Sequence, residues 1–125
     1  MKKIFLYIAG VFTILLSVLH LSFWKTGNWS VELKKISPDN AGILQALNIG
    51  SIYFLLYSTI ITFVIARKSS LETTDKLFLS LVAGYYIARI IMGFPLFGVT
   101  LIEIFIQVIC LLVACCYLIP LKLKK

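Results

Sequence analysis

Arg89 and Glu103 are single charges of opposite sign in an otherwise apolar stretch, YYIARIIMGFPLFGVTLIEIFIQ, that runs from Tyr85 to Gln107. An unpaired charge near the centre of a membrane-spanning helix costs on the order of 2.5 to 3.5 kcal/mol. A guanidinium fork facing a carboxylate removes much of that cost. Arg89 lies seven residues before Leu96 and Glu103 seven after it. A turn at Leu96 therefore sets both about 8 to 10 Å from the helix ends, at a rise of about 1.5 Å per residue, and the spacing predicts an ion pair. His20, Gln45 and Asn48 fall within about one helical turn of the same depth in two other apolar runs.

These five residues, His20, Gln45, Asn48, Arg89 and Glu103, form the candidate ligand-binding layer, to which all four helices are expected to contribute. Arg89 is suited to an anionic or carbonyl group, and His20, Gln45 and Asn48 to orienting it. Alternatively, His20 and Glu103 have the chemistry of a proton-transfer pair, for instance on a lipid or isoprenoid substrate. Plainer roles stand beside these. The ion pair is also what a structural clasp for a hairpin requires, His20 is also a neutral imidazole suited to bonding Asn48, and the amides are also ordinary interhelical glue. No residue is assigned a catalytic role.

The elements that carry these residues follow from composition. Of the 125 residues, 61% are hydrophobic and only 14% charged, too little polar surface for a body solvated by water. A spanning helix needs about 20 mostly apolar residues. Four runs qualify: 4–24, 43–66, 77–94 and 98–118. Their length, without ten-residue alternation, predicts helices and not a barrel. The expectation is an all-α integral membrane protein, a single domain over 1–125 forming an antiparallel bundle of four transmembrane helices. Lys2 and Lys3 before the first run imitate a secretory signal, but the run is too long and HLSFWKTG offers no small-residue cleavage site. It is read as a retained helix.

Lys2, Lys3, Arg67, Lys68, Lys76, Lys122, Lys124 and Lys125 fall at one end of such a bundle, and Lys25, Lys34 and Lys35 at the other. The positive-inside tendency then places both termini in the cytoplasm, in the inner membrane of a bacterium. The net charge of +7 reads as topology and attraction to anionic lipid, and its scatter along membrane boundaries speaks against nucleic acid. SPDN at 37–40 predicts a helix start capped by Ser37. SSLETTDK predicts a short loop with a Ser69/Glu72 capping box and Thr74 as cap, and Gly93 with Pro95 predicts the end of the third helix. Phe23, Trp24 and Trp29 at one edge, and Tyr7 and Tyr117 at the other, are expected as interfacial aromatics. The connection NWSVELKKIS is expected to form a short surface helix with Trp29, Leu33 and Ile36 against lipid or the bundle.

Small and weakly polar stripes predict the inward faces. These are Gly10, Thr13, Ser17 and His20 in the first helix, and Asn48, Ser51, Ser58 and Thr62 in the second. The third offers Ser80, Gly84 and Ala88 beside Arg89, and the fourth Thr100, Glu103, Gln107, Cys110 and Ala114.

Several activities are disfavoured. Cys110, Cys115 and Cys116 make no C-x-x-C pair, which gives no support to vitamin K epoxide reductase-type thiol chemistry. A single histidine far from the thiols predicts no metal site, and no cofactor is expected. The first helix lacks the membrane glutamate of small multidrug transporters. In general form the chain resembles four-helix membrane proteins of bacteria, DoxX-like chains among them, with no diagnostic motif, so no residue role is carried over. The leading expectation is an outward-side pocket for a small polar or amphiphilic, lipid-like ligand, with transport as an extension. The alternatives are the His20/Glu103 enzyme and a non-catalytic accessory subunit of a larger membrane complex. The bilayer is the expected surrounding, and the large lipid-facing surface leaves self-association open.

Overall fold

The computed structural model describes residues 1–123, so Lys124 and Lys125 lie outside the described residues. Four long helices, α1 (Lys2–Thr26), α3 (Pro38–Arg67), α4 (Thr73–Phe97) and α5 (Leu101–Lys122), are joined by short connections. The first connection holds the one-turn helix α2 (Trp29–Glu32) and a 3-10 turn, Leu33–Lys35. No strand occurs among the described residues. Each long helix is long and apolar enough to cross a bilayer, which makes the chain a multi-pass, all-α membrane protein. Its outer surface fits that reading: Leu101 (86% exposed), Val99 (76%) and Tyr53 (72%) face outward, an arrangement that lipid solvates and water does not.

Local chemistry sets the helix limits, and in places moves them from where hydropathy puts them. Ser37 caps α3 by accepting from the Asn40 amide at 3.3 Å, with Pro38 in the first turn. The polar segment Pro38–Gly42 is thereby helical although it is not apolar. α4 begins at Thr73 and not at Leu77, because Glu72 is its N-cap and forms a reciprocal capping box with Asp75. That box replaces the expected Ser69/Glu72 pair and the Thr74 cap. Gly93 and Pro95 do not end α4, which runs on to Phe97. Gly98, at φ +73°, ends it, since a left-handed φ is open to glycine at little cost. Thr100 then caps α5 by accepting from the Glu103 amide at 3.1 Å.

α1 packs against α3 and α5, and α4 against α5, whereas the consecutive helices α3 and α4 meet only sparsely, bridged by Phe54 against Tyr85 with ring centroids 4.9 Å apart. Between apolar helices in lipid, close packing of small residues and interhelical hydrogen bonds supply the adhesion. Gly10, Thr13 and Ser17 of α1 are buried as their spacing predicts, and a Cβ at Gly10 would overlap the Phe63 ring. Asn48, Ser58 and Thr62 of α3 and Glu103, Gln107, Cys110 and Ala114 of α5 are likewise buried.

α4 departs from its expected face. Ser80, Gly84 and Ala88 are exposed, and the buried face carries Leu79, Val82, Ala83, Tyr86 and Gly93. Small residues are acceptable to lipid as well as to a neighbouring helix, so they do not determine the face; a tyrosine hydroxyl does, because in a lipid-like medium it needs a partner. Tyr86 donates to Thr13 Oγ1 at 2.9 Å. Tyr117, expected at the interface, is instead fully buried, its hydroxyl 2.9 Å from Thr13 Oγ1 and 3.2 Å from Thr62 Oγ1. One hydroxyl from each long helix thus meets at the centre of the bundle.

At the end that holds both described termini, Lys2 Nζ donates to the carbonyls of Lys68 (2.9 Å) and Ser69 (3.2 Å), tying α1 to the α3–α4 loop. Lys68 donates to both carboxylate oxygens of Asp75, at 2.9 and 3.1 Å, and that bond raises the Lys68 pKa above its ordinary value. At the opposite end the short α2 folds back, with Trp29 edge-on to Trp24 at 5.3 Å. Trp29 and Leu33 are half-buried there, as expected of a capping segment, while Ile36 is exposed.

Candidate functional site

α4 and α5 are joined by three residues only, Gly98, Val99 and Thr100, so they form a tight antiparallel hairpin. Arg89 Nη1 donates to Glu103 Oε1 at 2.8 Å and Nη2 to Oε2 at 3.0 Å, the two-pronged geometry that matches a guanidinium to a carboxylate. The backbone positions are not at equal depth. The turn centres on Val99 and not on Leu96, leaving Arg89 eight residues before the end of α4 and Glu103 two residues after the start of α5. The long arginine side chain takes up the difference by climbing one turn along its own helix: Nη1 stands 2.6 Å from where a Cβ on Gly93 would be.

Gly93 is therefore a site residue, and its role was read from sequence as punctuation. A Cβ there would also overlap Glu103 Oε1 and Gln107 Nε2. Along α4, Arg89, Gly93 and Phe97 fall at intervals of four, on one face. The glycine leaves room for the guanidinium, and the Phe97 ring covers it, 4.8 Å from its centre, within the range of cation–π attraction.

Glu103 is held by three hydrogen bonds from two side chains. Besides the two arginine bonds, Gln107 Nε2 donates to Oε1 at 2.7 Å. Its side chain is 5% exposed, against 27% for Arg89. The carboxylate is thus almost wholly buried and accepts three hydrogen bonds, while the guanidinium, with five N–H donors, keeps those not used by Glu103 free of protein acceptors among the described residues. Gln107 was expected as part of a stripe and not as a member of the layer. Its Oε1 is buried without a partner among the described residues.

His20 is bound to Asn48 by two hydrogen bonds. Asn48 Nδ2 donates to the His20 carbonyl at 3.0 Å, and Oδ1 lies 2.9 Å from His20 Nδ1. A carbonyl only accepts, which fixes the amide with its nitrogen toward the His20 backbone and its oxygen toward the ring. Nδ1 therefore carries the hydrogen, and in a neutral ring Nε2 is left as an acceptor. Asn48 is buried and holds His20 in place. Gln45 does not join the layer: Nε2 donates to the Ala41 carbonyl of its own helix at 3.3 Å. His20 and Glu103 each have other partners, and no hydrogen bond joins them.

A cavity of about 380 Å³ opens between α1, α4 and α5, lined on its polar side by His20, Arg89, Thr100 and Glu103 and on its apolar side by Phe23, Phe97 and neighbouring isoleucines. It falls in the size range of small-molecule pockets, which are mostly apolar with a few convergent polar groups. Of the five candidate residues, His20, Arg89 and Glu103 line it, Asn48 supports it from α3, and Gln45 stands apart. No group of histidine, cysteine and carboxylate side chains among the described residues is arranged to hold a metal ion. Comparison with protein-family models, curated proteins and solved structures finds no match for the chain.

Proposed function

We propose that the chain is a membrane receptor or carrier for an amphiphile, whose polar head enters the cavity between α1, α4 and α5 while its apolar tail lies in the bilayer. The observation that carries this reading is the asymmetry of the ion pair: the Glu103 side chain is almost wholly buried and accepts three hydrogen bonds, whereas Arg89 is more exposed and keeps unused donors beside a cavity that His20 also lines. Arg89 offers N–H groups to a carbonyl, and His20 Nε2 accepts from a hydroxyl. Because Glu103 neutralises Arg89 at hydrogen-bond distance, the cavity suits an uncharged head bearing both functions, such as a monoacylglycerol. The distribution of lysine and arginine supports termini in the cytoplasm and hence a cavity on the outer side of a bacterial inner membrane.

The proton-transfer alternative has less support, since His20 and Glu103 are engaged with Asn48 and with Arg89 and Gln107. The accessory-subunit reading is favoured by one observation. Ser80, Gly84 and Ala88 make a small-residue face on the outside of α4, and a Cβ on Gly84 would meet nothing within 4 Å.

The test is saturable binding of a monoacylglycerol by the protein in nanodiscs. His20→Ala is expected to weaken binding about tenfold, the worth of one hydrogen bond, and Ile106→Trp, which fills the cavity, to abolish it. Both variants should keep wild-type helicity. Wild-type affinity in both would overturn the pocket, and co-purification of a stoichiometric membrane partner lost in Gly84→Leu would favour the accessory reading.

A further inference from the structure

A second cavity, of about 500 Å³, lies at the other end of the bundle, where the start of α1, the α3–α4 loop and the end of α5 come together. Its polar lining is Lys2, Lys76, Lys122, Ser69 and Ser70, and Leu121 is among its apolar walls. No carboxylate lines it among the described residues. The two acids of this end, Glu72 and Asp75, are drawn to Lys68, Asp75 at 2.9 Å and Glu72 at 3.9 Å. Lys68 thus takes up most of the local negative charge, and Lys2, Lys76 and Lys122 make no ion pair with a carboxylate among the described residues, although Lys2 acts on Asp75 at longer range. Lys2 is held in place by the Lys68 and Ser69 carbonyls, which use two of the three ammonium donors. Three lysines from three helices therefore line one recess together with two serines.

We propose that this recess binds a phosphate group, carried in the membrane by an anionic glycerophospholipid. Phosphate oxygens accept charge-assisted hydrogen bonds from ammonium groups and ordinary ones from serine. The recess lies at the end of four spanning helices, at headgroup level, and its apolar wall at Leu121 gives an acyl chain a surface to follow. Membrane surfaces attract scattered lysines in any case; three around one recess with no carboxylate in its lining add a discrete site to that general attraction.

The experiment is native mass spectrometry of the protein released from nanodiscs of equimolar phosphatidylglycerol and phosphatidylcholine. One phosphatidylglycerol per chain should be retained in preference to phosphatidylcholine. Lys76→Gln with Lys122→Gln should lower that retention by about thirtyfold, the combined attraction of two lysines at a membrane surface. The corresponding double arginine variant should retain the lipid, as should Lys25→Gln with Lys34→Gln at the opposite end. Equal retention of the two lipids, or equal loss in the Lys25/Lys34 variant, overturns the site. A second arm offers glycerol 3-phosphate to lipid-free protein and follows protection of Lys76 and Lys122 from an amine-reactive reagent. Protection without lipid preference overturns the lipid as the source of the phosphate. The monoacylglycerol assay addresses the other end of the bundle, so the two proposals fail separately.

Discussion

Gly93→Ala is a one-methyl change that the structure predicts to be costly. The new Cβ would overlap Gln107 Nε2 and Glu103 Oε1 and stand 2.6 Å from Arg89 Nη1. The amide is the softest of the three, so it is expected to swing away, giving up its 2.7 Å bond to a buried carboxylate. Such a bond contributes about 1.5 to 3 kcal/mol, and residual crowding adds about 1 to 3 kcal/mol. Against this, alanine is favoured over glycine in a helix by about 1 kcal/mol, which leaves a net loss of about 1.5 to 5 kcal/mol on the same principles. Gly84→Ala isolates the steric part, because it lies on the same helix and its Cβ would meet nothing within 4 Å. It is expected to be neutral or stabilising by up to about 1 kcal/mol. Reversible unfolding in bicelles, followed by circular dichroism, compares the two. Adding Gln107→Ala to Gly93→Ala vacates the contested space and should recover part of the loss, a coupling of about 0.5 to 3 kcal/mol. Equal stability of the Gly93 and Gly84 variants, or strict additivity with Gln107→Ala, would refute the account of the glycine as the place the ion pair occupies.

The ion pair itself is tested by a double-mutant cycle in the same assay. Arg89→Ala and Glu103→Ala should each cost about 3 to 5 kcal/mol by leaving a partner charge enclosed and unpaired, and the double variant less than the sum; additive losses would mean the two side chains do not depend on one another. Tyr117→Phe keeps the ring stack on Tyr86, at 6.1 Å between centroids, and removes only the hydroxyl that meets Thr13 and Thr62. A loss of about 1 to 3 kcal/mol is expected, with monoacylglycerol binding unchanged, and a variant as stable as wild type would remove the hydroxyl cluster as a source of cohesion.

The legibility of this fold in its sequence follows from what lipid does to each kind of residue. Long apolar runs, Ser37 as a cap and the inward stripes of α1 and α5 could be read directly, because backbone satisfaction and charge burial admit few alternatives in a bilayer. The pairing of Arg89 with Glu103 could be read too, although the assumed turn at Leu96 was three residues from its actual centre at Val99, an error that the reach of arginine absorbs. The face of α4 was not legible: lipid accepts Leu, Ser, Gly and Ala alike, so nothing in its hydropathy separates Gly84, which is open, from Gly93, which is enclosed. The useful signal was the interval Arg89, Gly93, Phe97, a space-giving residue one turn beyond a charge and an aromatic one turn beyond that. Tyr117 was misplaced for a related reason. An interfacial belt and a buried hydroxyl cluster both use tyrosine, and Thr13 and Thr62 distinguish them only once the helices are packed. Gln45 and Asn48 share a helix and a chemistry, but their positions differ by less than one full turn, enough to send one to α1 and leave the other on its own carbonyl.

The two polar centres of the bundle solve the same problem in different ways. At the middle, Thr13, Thr62, Tyr86 and Tyr117 are neutral and wholly enclosed, bonded to one another and, through the two threonines, to the Ala9 and Ser58 carbonyls. Toward the α4–α5 turn the polar groups are ionic and their enclosure is one-sided. A clasp whose only role was to hold the hairpin would gain from covering both partners, since an exposed guanidinium weakens the attraction it makes. Instead the carboxylate is covered and bonded three times, and the arginine is covered by Phe97 on one side and open on another, beside a histidine whose ring orientation Asn48 fixes. On the proposed reading, Glu103 serves as the resident counterion that lets an arginine stand at the edge of an apolar cavity without requiring an anion from outside. The price of an added anionic head would be the desolvation of a second negative charge beside an already neutralised cation, and that asymmetry favours an uncharged amphiphile.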